Sequence, residues 1–86
     1  MSNQQVSGEP VFVDALIGVV NATAVCPAGT TLLSGGYTTS GEPLPGLIQI
    51  IESKRDDLNP SQWNVSGIGL TGLLTGTITA YAVCTI

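Results

Sequence analysis

Read for the order of apolar and polar positions, the chain divides into short runs of β character separated by turn residues, and no stretch repeats with a helical period. The closing TITAYAVCTI, residues 77 to 86, alternates most cleanly. Thr77, Thr79, Tyr81 and Val83 share one face, and Ile78, Ala80, Ala82 and Cys84 the other. WNVSGIGL, residues 63 to 70, does the same with Trp63 and Val65 opposite Asn64 and Ser66. VFVDALIGVV, residues 11 to 20, runs into NATAVC and predicts either one long strand or two with a bend at Gly18. TTLLSGGYTTS, residues 30 to 40, reads as a strand interrupted at Gly35 and Gly36 by a bulge or by the close approach of another backbone. LIQIIES, residues 47 to 53, is apolar on both sides and predicts an interior or interface strand. GEPLPG, residues 41 to 46, and KRDDLNPSQ, residues 54 to 62, supply the loops.

The expected fold is therefore all-β: a small antiparallel β-sandwich or barrel formed by residues 11 to 86 as a single domain. The polar MSNQQVSGEP, residues 1 to 10, reads as a leader, either flexible or ordered only by assembly. A domain of 86 residues has a marginal core. Its two cysteines, Cys26 and Cys84, lie 58 positions apart, each at the end of a row of small side chains: Ala22 and Ala24 before one, Ala80 and Ala82 before the other. Small rows let two backbones come within disulfide reach, and one intrachain Cys26–Cys84 bridge is expected. Two free buried thiols and a bridge between subunits are the alternatives.

Composition changes the picture at one point. Only 9% of residues are charged, against about 25% in ordinary soluble domains, while 43% are hydrophobic. Such a chain covers itself with Thr, Ser, Asn, Gln and Gly or buries apolar surface against other copies. A homo-oligomer is expected, with Ile48 and Ile50 as candidate interface residues. A net charge of −4 with Lys54 and Arg55 as the only cations argues against nucleic acid as a partner. The lack of a long apolar run argues against membrane insertion, and no signal peptide is visible.

The order CPAGT, LLSGGY, WNVSG and terminal YAVC over residues 23 to 86 resembles a group of small bacterial extracellular β-domains with Cys-Pro-x-Gly-Thr, Gly-Gly, Trp-x-Val and Tyr-Ala-Val-Cys. The resemblance implies a secreted or cell-surface location and supplies no catalytic residues; with no signal peptide visible, a spore surface reached by mother-cell lysis is a further expected location.

Candidate chemistry is sparse. The absence of histidine removes the usual general base and the commonest metal ligand, and the cysteine spacing fits neither zinc nor a dithiol motif. Lys54 sits among Arg55, Asp56 and Asp57 and reads as a solvated charge. No enzyme activity and no cofactor are expected. Glu52, Asp56 and Asp57 are oxygen donors for a Ca²⁺ ion without the spacing of a dedicated loop. Tyr37, Trp63 and Tyr81 are candidate ring platforms for a glycan or a small apolar ligand, though core packing uses them more economically. Asn21 and Asn64 match the N-glycosylation pattern but fall in expected strands, as outward polar positions. The function expected is a self-associating, non-catalytic structural or interaction domain, trimer or fibre. A carbohydrate- or apolar-ligand-binding module is the alternative.

Overall fold

A computed structural model of the chain describes residues 3–14, 18–41, 48–70 and 74–85. Seven strands follow one another: β1 (Asn3–Ser7), β2 (Val11–Asp14), β3 (Val20–Val25), β4 (Thr31–Ser40), β5 (Ile48–Arg55), β6 (Gln62–Gly69) and β7 (Leu74–Thr85). They form two antiparallel sheets. Sheet A is built on β7, which pairs with β4 along one side and with β1 and β2 end to end along the other; sheet B has the order β3-β6-β5. The two stack into an elongated body of 44 × 23 × 16 Å.

The inner face of sheet A is the row predicted from the alternation of the last strand: Ile78, Ala80, Ala82 and Cys84 are all fully buried. Sheet B answers with Val20, Ala22 and Ala24 of β3 and Val65 of β6. Four of these eight side chains are alanines, so β3 and β7 pack closely, and larger groups enter where the facing strand has given up its own side chain. Ile78, for example, points at Gly67, where an added Cβ would lie 2.6 Å from the Ile78 Cδ1. Cys26, one residue beyond β3, bonds to Cys84 with a Cα–Cα distance of 5.9 Å. The bridge ties one sheet to the other and is the intrachain pairing expected from the two small-residue rows.

The VFVDALIGVV run resolves into two strands in different sheets. β2 pairs with β7 and β3 with β6, and Gly18, two residues before β3, has a φ of 90° that suits glycine. Three expectations need correction. The N-terminal segment is not a loose leader: Asn3 to Ser7 pair with Thr85 to Tyr81 of the same chain, Val6 packs against the core, and the Gly8 amide continues the ladder by donating to the Ala80 carbonyl at 2.9 Å. β5, which takes in LIQIIES from Ile48 on, is an edge strand rather than an interior one, and Leu47 lies outside the described residues. Alternation turns Ile48 and Ile50 to the core and leaves Ile51 50% exposed, and the bulge at Ile51 then places Glu52 opposite the outward Ser66 instead of on the inner face. The Gly35–Gly36 pair does not break β4, whose bulge falls at Leu33 instead. The GEPLPG loop lies, apart from Gly41, outside the described residues.

Candidate functional site

The two glycines of β4 explain where the aromatics go. Consecutive residues of a strand face opposite sides. Gly35 is opposite the buried Ala82 and faces sheet B; Gly36 is opposite Tyr81 and faces outward. The Trp63 indole of β6 lies against Gly35, and the Tyr81 phenol lies against Gly36, each so close that a Cβ on the glycine would strike the ring. One strand is thus held between two rings, one on each face. Trp63 Nε1 donates to Ser53 Oγ at 3.0 Å, which satisfies the indole at the margin between the sheets. Tyr37 shares the inner side of β4 with Gly35 and is 42% exposed. Of the three candidate ring platforms, Tyr37 and Trp63 therefore lie on one side of β4 and Tyr81 on the other, and no pocket forms among the described residues.

The charged end is organised around Asp56, which follows β5. Its carboxylate accepts from Asn64 Nδ2 at 2.6 Å and from the amides of Asn59 and Leu58 at 2.7 and 2.9 Å. These donors, Asn64 foremost, hold the Asp56 carboxyl below the usual carboxylate range. Asn59 Oδ1 in turn accepts from the Ser61 amide, and the Ser61 carbonyl accepts from the Cys26 amide at 2.8 Å. The loop is thereby fastened to the disulfide end of β3. Lys54 Nζ lies 3.1 Å from Asp57 and 3.9 Å from Glu52, and the hydrogen bond it donates to Asp57, with both carboxylate charges, raises its pKa. The candidate Ca²⁺ donors Glu52, Asp56 and Asp57 are therefore engaged with an ammonium group and with loop amides. Among the described residues no group of three metal-ligating side chains converges.

Two features were missed in the sequence. Arg55 reaches from the edge of sheet B to the edge of sheet A, where Nη2 donates to the Leu32 carbonyl at 3.3 Å. Charge is also divided between the sheets. The four strands of sheet A hold one charged residue, Asp14, at the end of β2, whereas β5 alone holds Glu52, Lys54 and Arg55. The outer face of sheet A is consequently a neutral surface: Thr31, Ser34, Thr38 and Ser40 from β4, Thr77, Thr79, Tyr81, Val83 and Thr85 from β7, with Gln5, Ser7 and Phe12 beside them. Phe12 is 64% exposed there. The outer face of sheet B is hydrogen-bonded within itself, as where Ser66 Oγ donates to Asn21 Oδ1 at 2.6 Å, and both glycosylation-pattern asparagines lie on it.

No helix among the described residues is long and apolar enough to cross a membrane. In comparison with known proteins, no family model, curated sequence or solved structure matches the chain.

Proposed function

We propose that the chain is a non-catalytic structural module that associates with further copies of itself in an extracellular or surface-borne assembly. The observation that carries this reading is the neutral sheet A, whose outer face and long last strand present hydroxyls, amides and apolar groups with one charge at the margin. Copies of a chain of net charge −4 repel one another wherever their acids meet. Sheet A is the surface on which they approach without that penalty. Exposed Phe12 and Leu33 of sheet A supply apolar area that association removes from water. The disulfide favours an oxidising location, since such bonds persist outside the reducing cytosol. The acids and the lysine at the charged end hold one another and their loop, an arrangement suited to a stable tip rather than to proton transfer.

Sedimentation over a wide concentration range, with and without reductant, tests the proposal. The oxidised protein is expected to sediment well above 8.8 kDa. A monomer at every concentration would overturn the reading and transfer interest to ligand binding near Trp63.

A further inference from the structure

Each sheet has two edges, and an unpaired edge is a template for another strand unless it is shortened, charged, bent or covered. Three of the four edges here carry such protection. β5 holds Glu52, Lys54 and Arg55 and a bulge at Ile51. The β1–β2 edge is split into strands of five and four residues by Gly8, Glu9 and Pro10, with a further register shift at Val13. β3 is short, and Gly8 lies against its Thr23 carbonyl so closely that no side chain would fit between them. β4 is different. It runs for ten residues with no charge and no proline, and its bulge at Leu33 stands near one end. Arg55 occupies the Leu32 carbonyl, but from Leu33 to Thr38 the side turned away from β7 pairs with no described strand.

We infer that β4 pairs antiparallel with β4 of a second copy of this chain, joining two copies of sheet A into one continuous sheet across a two-fold axis at Gly36. The inference rests on the self-association reading and names its contact. A second copy is the occupant because the strand is neutral and self-complementary. A two-fold axis sets identical segments against each other, and a charged segment would meet its own charge there. Centring the axis on Gly36 brings Tyr37 opposite the partner's Gly35, so its ring meets the edge of the indole that already covers that glycine. It also brings Thr38 opposite the partner's Ser34 on the outer face, a hydroxyl pair of the kind that neighbouring strands favour. The bare backbone at Gly35 and Gly36 leaves the two strands unobstructed at the axis.

Two variants test this contact. Thr38 is exposed and outward, so Thr38→Lys leaves the core untouched while placing a cation in the pairing. It is expected to convert a species of twice 8.8 kDa to the monomer with its circular dichroism unchanged. The double variant Ser34→Cys/Thr38→Cys places thiols opposite one another across the axis. Within one chain these positions are about 13 Å apart, beyond disulfide reach, so only intermolecular bridges form. Mild oxidation is expected to yield covalent dimers linked between residues 34 and 38. If the wild type associates but the double variant does not cross-link there, the β4 contact is wrong while self-association stands. If the wild type is monomeric throughout, both fall. Should Thr38→Lys fail to fold, the cross-link alone decides.

Discussion

Sheet B ends in a strand that is charged and bulged at its middle, whereas sheet A ends in a strand that is longer, neutral and bulged only near one end. On β5, Lys54 is held between Glu52 and Asp57, and Arg55 is drawn across to the Leu32 carbonyl. On β4 the central positions are glycines covered by rings from other strands. The difference teaches that five of the chain's eight charges, those from Glu52 to Asp57, are gathered where one edge is kept single. The other edge is left chemically plain. A protein whose only need were solubility would spread so few charges over both sheets.

The largest expected effect comes from uncoupling the two sheets. Cys26→Ala/Cys84→Ala removes the link between them and should lower stability by about 2–5 kcal/mol, read from denaturant unfolding of the variant against the oxidised wild type. Replacing both cysteines avoids a lone buried thiol.

The two faces of β4 provide a finer contrast. Gly35→Ala drives a methyl into the indole of Trp63, which is confined between the sheets, and should cost about 1–3 kcal/mol with a shift in tryptophan emission. Gly36→Ala meets the phenol of Tyr81 on the open outer face, where the ring has room to turn, and should cost less and leave the emission unchanged. Equal losses would mean that the inner and outer rings are equally confined.

The smallest effect is electrostatic and confined to the charged end. Because the folded-state pKa of Asp56 is depressed, its stabilisation is present above the ordinary carboxylate value of 3.8 and fades as pH falls through the lower folded value. Asp56→Ala should therefore be less stable than the wild type at neutral pH, and the difference should shrink once the solution is acidified well below 3.8. Lys54 has the opposite sign: its raised pKa gives a contribution present below 10.5 and lost as pH rises through the folded value, a weak one at so exposed a pair.

Much of this architecture was legible in the chain. The small, alternating rows that end at Cys26 and Cys84 revealed both the inner face of β7 and its partner, since a strand's period of two ties each residue to a face. The Trp63–Val65 alternation located β6 in the same way. What stayed hidden depended on pairing between distant segments. Asn3–Ser7 is polar enough to pass for a leader and becomes a strand only because β7 has a vacant side to receive it. The apolar LIQIIES looked interior because alternation separates Ile48 and Ile50 from Ile51 without telling which face is covered, and the bulge that turns Glu52 outward beside Ser66 is not displayed by local pattern. Of the candidate site, the residue types were readable but not their grouping. Tyr37, Trp63 and Tyr81 separate onto two sides of one strand, and nothing local in the sequence assigns a strand to an edge.

Hydrogen exchange measured on the intact, oxidised protein at low and high concentration tests the contrast between the edges most directly. The account predicts that raising the concentration slows exchange in β4, between Leu33 and Thr38, while β5 from Gln49 to Arg55 exchanges at the same rate throughout. Protection that rises on β5 instead, or that does not change with concentration on either strand, would contradict it.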